Sequence, residues 1–177
     1  MDTIAAIHGR RSIRDFAEWP VARDLIEAVI WDAAQAPPPF SGQIPWTFNV
    51  VEGAERIAAL GARAKGQALA QRTGAPGSIW LEQPGVKVFW DAPVLIVISG
   101  EVGDCCRAGQ NLMLSAHARG LGTCWVGSPM PWLRTDEAKA ALQIPPGVTP
   151  VVAMCLGYAD TVPEAPPRQH PPVVWVT

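Results

Sequence analysis

The sequence predicts an α+β protein in which helices cover the faces of one sheet. Residues 94–99 form a short, continuously apolar run, which is typical of a strand buried on both faces. Between residues 25 and 34, apolar residues instead recur on one face of a helix. A mixture of short strands and longer helices indicates a sheet covered by helices. The 177-residue chain is long enough for one sizeable core, so we expect residues 1–177 to form a single domain.

The N-terminal half contains three predicted helices and two predicted strands. Pro20 favours a helix start, and Pro37, Pro38 and Pro39 end that helix because proline lacks an amide hydrogen. Residues 74–85 are rich in turn-forming residues. In chain order we predict a helix over 1–9, a helix between Pro20 and Pro37, a strand over 47–51, a helix over 54–72 and the strand 94–99.

A helix predicted over residues 104–119 dominates the C-terminal half. Asp104 is a candidate N-cap, and Gly120 is a candidate helix stop. The apolar residues of this helix cover more than one face, so we expect it to be buried nearly all round, with a partner subunit as the second wall. After it we predict a strand over 124–126, a helix over 134–142, a strand over 151–156 and, beyond a proline-rich segment, a strand over 173–176.

Composition and charge exclude several classes of function. The net charge of −2 gives no electrostatic reason for binding nucleic acid. No apolar run reaches membrane-spanning length, and the N-terminus lacks the apolar core of a signal peptide. We therefore expect a cytoplasmic protein. Charged residues make up only 17% of the chain, which leaves apolar surface for burial against a partner.

Nucleophilic and metal-dependent chemistry find no support in the motifs. None of the six serines lies in a GxSxG elbow. The three histidines and four cysteines show no spacing typical of a metal site, and we interpret the cysteines as small buried residues. The sequence therefore predicts no metal site and no catalytic acid, base or nucleophile.

Two segments have the composition of a ligand site. Arg10, Arg11 and Arg14 flank Ser12 within five residues, and guanidinium groups with a hydroxyl suit a phosphate monoester; the alternative is a solvated basic turn. Residues 120–127 (GLGTCWVG) let the backbone approach a planar ligand closely. The alternative there is a glycine helix stop followed by a core strand. Trp46, after the proline-rich loop, is interpreted as a core residue.

Taken in order, these segments resemble the nitroreductase family over nearly the whole chain. The resemblance depends on the shared order and spacing of short motifs, each weak alone. They are residues 10–16 (RRSIRDF), the helix ending in Ala36-Pro37, and residues 45–48 (PWTF), 91–94 (DAPV), 110–114 (QNLML), 120–123 (GLGT), 126–127 (VG), 144–147 (IPPG), 156–158 (LGY) and 167–168 (PR).

The resemblance implies a three-layer α/β/α fold with a mixed, mainly antiparallel sheet, assembled as an intertwined homodimer with FMN at the subunit interface. The family's phosphate ligands map onto Arg10, Ser12 and Arg168, with Arg11 nearby, and Arg14 maps to the pyrimidine edge of the flavin. The loop of Pro39, Phe40 and Ser41 would come from the partner subunit. The flavin ring would be lined by Trp125, Val126, Gly127 and Ser128. The tail strand over 173–176 would add to the partner's sheet.

The implied activity is an FMN-dependent oxidoreductase that passes a hydride from NAD(P)H through the flavin to a nitroaromatic, quinone or similar conjugated acceptor. The chain departs from the family's Asn-x-Gln-Pro-Trp loop, because Gly42 and Ile44 replace the two amides. Three alternatives stay open; the changes in this loop favour the first, and the apolar helix over 104–119 favours the third. One is a flavin-binding, storage or degenerate protein without turnover, another is a specialised oxygen-dependent or dehalogenating reaction, and the third is a dimeric interaction module.

Overall fold

A four-stranded antiparallel sheet forms the centre of the protein. The computed structural model describes residues 1–39, 45–71 and 80–176. The sheet order is β1-β2-β4-β3, and each neighbouring pair is antiparallel. The strands are β1 (Trp46–Glu52), β2 (Val94–Gly100), β3 (Gly122–Trp125) and β4 (Pro150–Gly157).

Helices cover both faces of this sheet. Alternate side chains of β2 enter two separate cores: Leu95 and Val97 join one core, and Ile96 and Ile98 join the other. The helices are α1 (Thr3–Gly9), α2 (Arg23–Ala33), α3 (Ala54–Ala70), α4 (Val102–Ala118), α5 (Met130–Leu133) and α6 (Asp136–Ala141). Helices α3, α5 and α6 pack on the first core, and α2 and α4 pack on the second. The predicted α+β class and the arrangement of a sheet between helical layers are confirmed.

Two helix boundaries differ from the prediction, and each difference has a local cause. Helix α4 begins after Glu101, so Asp104 lies inside the first turn and forms an ion pair with Arg107 instead of capping the helix. The helix predicted over 134–142 is divided into α5 and α6. Thr135 ends the continuity because its hydroxyl accepts a hydrogen bond from Ala138 N at 3.2 Å and so caps α6.

One edge of the sheet and the C-terminal tail are uncovered among the described residues. Strand β1 pairs with β2 on one side only, so its other edge is open among the described residues. The predicted strand over 173–176 is not a strand in this chain: residues 161–176 have exposed side chains and no regular structure. Val173, Val174, Trp175 and Val176 are 64% to 94% exposed. None of the described helices combines the length and apolarity needed to cross a membrane.

Candidate functional site

The arginine-rich segment after α1 is held against the end of the sheet. Ser12 forms a parallel bridge with Thr123 of β3, where Ile13 N donates a hydrogen bond to Thr123 O at 2.9 Å. Phe16 forms an antiparallel bridge with Ala159, just beyond β4. The segment therefore runs from the edge of β3 to the residues that follow β4. These two attachments fix the backbone that carries Arg10, Ser12 and Arg14.

Gly122 allows this close approach. A Cβ atom at position 122 would lie 2.6 Å from Cγ1 of Ile13, which is 4% exposed and belongs to the core. Ile13 is buried in the core, whereas Ser12 is half-buried and Arg14 is exposed. Gly122, in the glycine-rich segment 120–127, is therefore required for packing against Ile13.

The positive charges of Arg10 and Arg168 act on each other, and neither arginine forms an ion pair with a carboxylate among the described residues. Partial burial, followed by the nearby charges of Arg168 and Arg11, lowers the pKa of the Arg10 guanidinium. None of these three arginines takes part in an ion pair among the described residues. Although Arg168 is 158 residues away in sequence, the fold brings its charge close to Arg10. Such a pair suits an anionic group such as a phosphate.

Arg11 has a different position from the other arginines. Its Nη1 donates hydrogen bonds to the carbonyl oxygens of His8, Gly9 and Arg10 at 2.8, 2.9 and 2.9 Å. These carbonyls belong to the end of α1, where backbone acceptors lack helical partners. One end of the Arg11 guanidinium therefore stabilises the helix terminus that leads into the segment.

A cavity of about 510 Å³ lies beside Arg14. It combines aromatic walls, one cation and a short polar segment of backbone. Its lining residues are Arg14, Trp80, Trp90, Trp125, Val126, Gly127 and Ser128. Predominantly apolar walls with a few polar groups are typical of a small-molecule site. The predicted ring-lining residues 125–128 are therefore together in one cavity, with Arg14 at the same cavity.

One unsatisfied polar atom beside this cavity and the open space next to Gly127 test whether a polar, planar ligand fits. Ser128 Oγ is buried and has no hydrogen-bond partner among the described residues. A Cβ atom built on Gly127 would meet nothing within 4 Å, so the space beside that backbone is open. Buried polar atoms in folded proteins are normally paired. The orphaned hydroxyl, the open backbone and the unpaired arginines together fit a planar ring system with heteroatoms and an anionic tail.

Arg14 lies against an aromatic ring and near a buried thiol. Its Cζ atom lies 5.5 Å from the centroid of the Trp90 ring, within the range of a cation–π contact. Trp90 in turn stacks on Trp80 with ring centroids 6.3 Å apart and planes 10° apart. Burial raises the pKa of the Cys124 thiol, although hydrogen bonding to Arg14 and the charges of Arg14 and Arg10 oppose that rise. Cys124 is therefore a buried thiol beneath the arginines, as its predicted packing role requires.

Sequence reasoning missed Trp80 and Trp90 as site residues. Trp90 is 76 positions from Arg14, and no motif links the two. An available signal was the tryptophan content of the chain, eight tryptophans against one tyrosine, although nothing in the sequence marks Trp80 and Trp90 among the eight. Of the predicted partner loop, Pro39 is half-buried, and Phe40 and Ser41 lie outside the described residues, as do Gly42 and Ile44.

Comparison with known proteins assigns the family. The nitroreductase family model matches residues 7–158, which is most of the chain. The chain belongs to the nitroreductase family. The resemblance inferred from the ordered motifs is thereby confirmed, including the arginine segment at one end of the match and the LGY segment at the other.

Relatives within the nitroreductase family are similar over most of their length. A protein of Methanothermobacter thermautotrophicus, which carries the provisional name NADH dehydrogenase/NAD(P)H nitroreductase, is 33% identical over 89% of this chain and 78% of its own. A nitroreductase from Bacteroides fragilis, crystallised with bound FMN, shares the fold with a TM-score of 0.87 at 22% identity. One from Desulfitobacterium hafniense, also with bound FMN, gives 0.83 at 25% identity. Both structural comparisons cover 100% of both chains.

Proposed function

We propose that this nitroreductase-family protein is an FMN-dependent oxidoreductase that transfers a hydride from NAD(P)H to a nitroaromatic, quinone or similar conjugated acceptor. One observation carries the proposal. Residues 10–14 carry Arg10 at one end, near the charge of Arg168, and Arg14 at the other end, at the aromatic cavity. This order matches a ligand with a phosphate at one end and a planar ring at the other. The FMN bound by relatives of the same fold has this shape.

The residues of the chain then have distinct binding roles. Arg10, Ser12 and Arg168 would hold the phosphate, and Arg11 would stabilise the backbone that carries them. Arg14 would place a cation at the pyrimidine edge of the ring. Bound FMN supplies the hydride chemistry, so the chain needs no acid or base of its own. Trp125, Val126, Gly127 and Ser128 would lie along the ring, where the orphaned Ser128 hydroxyl can form a hydrogen bond.

The proposal includes a homodimer with one FMN at each of two shared sites. Several large apolar side chains are exposed in the single chain: Ile4, Ile7, Trp31 and Val102 are 49% to 70% exposed. They lie at α1, at α2 and at the start of α4, so burying them against a second copy would be favourable. The open edge of β1 and the exposed tail are complementary in hydrogen bonding, since a tail strand could pair with that edge. Pro39, Phe40 and Ser41 would then complete the partner's site.

Steady-state kinetics test the proposed reaction. If NAD(P)H and the acceptor occupy the same cleft in turn, varying both should give parallel double-reciprocal lines, because the first product leaves before the acceptor binds. Menadione, a quinone, and 4-nitrobenzoate, a nitroaromatic, are suitable acceptors. Intersecting lines would contradict the shared cleft. FMN retention without any turnover of either acceptor would favour a flavin-binding or storage protein.

A further inference from the structure

Arg14 is an exposed cation that lies against an aromatic ring, without an ion-pair partner among the described residues. Its guanidinium lies over the face of Trp90, and its charge acts on the nearby Cys124 thiol. A carboxylate would hold an arginine more strongly, but it would also cancel most of its electric field. An indole face attracts the cation through its quadrupole and carries no net charge. The Arg14 field therefore remains available to whatever occupies the cavity.

The backbone of Trp90 is held in an unusual conformation. Trp90 and Asp91 have φ angles of 47° and 54°, which L-residues with large side chains rarely adopt. Two contacts oppose relaxation of this turn: Trp80 stacks on Trp90, and Asp91 forms an ion pair with Lys87. Strained backbone of this kind is concentrated at functional sites, where the surrounding structure maintains it. Here the conformation keeps an indole ring beside Arg14.

We propose that Trp90, supported by Trp80, is a positioning residue that holds Arg14 at the cavity and thereby raises the reduction potential of bound FMN. The inference rests on the proposed function. Transfer of a hydride from NAD(P)H, which becomes NAD(P)⁺, adds two electrons and one proton to FMN and so adds one negative charge to the ring. A fixed cation at the ring binds this charged, reduced form more tightly than the oxidised form. A mobile arginine provides less of this difference because solvent screens it.

Redox titration of the FMN-loaded protein against a dye of known potential tests this role. Trp90→Leu removes the aromatic face, and Trp90→Phe retains one. We expect Trp90→Leu to reduce the preference for reduced FMN by about 3- to 10-fold, equivalent to a potential about 15–30 mV lower for a two-electron couple. Trp90→Phe and the control Trp19→Leu, which removes an exposed tryptophan elsewhere, should remain close to wild type.

A double-mutant cycle separates positioning from a general structural effect. Arg14→Met should lower the potential at least as much as Trp90→Leu, and adding Trp90→Leu to Arg14→Met should cause no further change. Trp80→Leu provides a second test that leaves Trp90 in place, and it should lower the potential by a smaller amount. Circular dichroism establishes that each variant is folded, and a spectroscopic titration gives its affinity for oxidised FMN.

The outcomes distinguish the inference from the proposed function. An unchanged potential in both Trp90→Leu and Trp80→Leu, in protein that retains FMN, would overturn the positioning role and leave the proposed function standing. A full additional shift from Trp90→Leu in the Arg14→Met background would also overturn it, because the effect would then not pass through Arg14. Wild-type protein that binds no FMN would overturn the proposed function and this inference together.

Discussion

Replacing Arg10 or Arg168 with alanine is expected to weaken FMN binding by about 10- to 100-fold. Each arginine would lose a charge-assisted hydrogen bond to the phosphate, and such bonds contribute about 1.5–3 kcal/mol. The two arginines come from opposite ends of the chain, the charge of Arg168 acts on Arg10, and neither has an ion-pair partner among the described residues. Fluorescence quenching of FMN on titration with apoprotein measures the change.

Riboflavin provides the control ligand for this prediction, because it has the same ring and no phosphate. Its binding should change little in Arg10→Ala and Arg168→Ala. Arg63→Ala is the matched protein control, since Arg63 pairs with Glu137 at 3.4 Å on the exposed surface and has no place in the site. Equal losses of FMN and riboflavin affinity would indicate damage to the fold and would contradict the phosphate assignment.

Deleting residues 171–177 is expected to dissociate the dimer and to reduce FMN affinity at the same time. The deletion removes the four apolar residues Val173, Val174, Trp175 and Val176, which are exposed in the single chain, and keeps Arg168. Burying each against a second copy would contribute about 1.5–3 kcal/mol at full burial. We therefore expect the dimer dissociation constant to rise by at least about 100-fold. Sedimentation equilibrium over a range of concentrations measures it.

A substitution within the tail sharpens this test. Val174→Asp, which puts a charge among the same apolar residues, should also weaken the dimer, whereas Gln169→Ala, outside that apolar run, should not. If the shortened protein remains a dimer with unchanged FMN affinity, the tail does not hold the subunits together. If it becomes a monomer that still binds FMN normally, the shared site is contradicted instead.

Most of the fold could be predicted because its signals are local. The apolar run in β2, the one-sided helix α2 and the glycine after α4 each depend on residues close together in sequence. Errors arose where two local signals competed. Asp104 is a good N-cap residue, yet α4 begins earlier, at Val102, and the Asp104 carboxylate pairs with Arg107 inside the first turn. Thr135, a favourable N-cap residue, lies inside the predicted helix over 134–142. In the structure it caps α6, which is separate from α5.

The candidate site could be predicted only in part, because its contacts are between distant residues. The ordered motifs placed Arg14 and residues 125–128 at one ligand, and the structure brings them to one cavity. Nothing in the sequence indicates that Trp90 adopts a positive φ angle or that its ring meets Arg14. The open edge of β1 and the exposed tail are likewise uncovered in the single chain. The second subunit that would cover them is a prediction from the family resemblance.

The most direct test of the account is an anaerobic visible spectrum of the protein after FMN loading and gel filtration, recorded before and after addition of NADH or NADPH. We predict that the flavin absorption band elutes with the protein and bleaches when the nicotinamide is added. A band that is lost on gel filtration would contradict FMN binding by Arg10, Arg14 and the cavity beside Trp125. A band that elutes with the protein but is not bleached by either nicotinamide would contradict the proposed reductase.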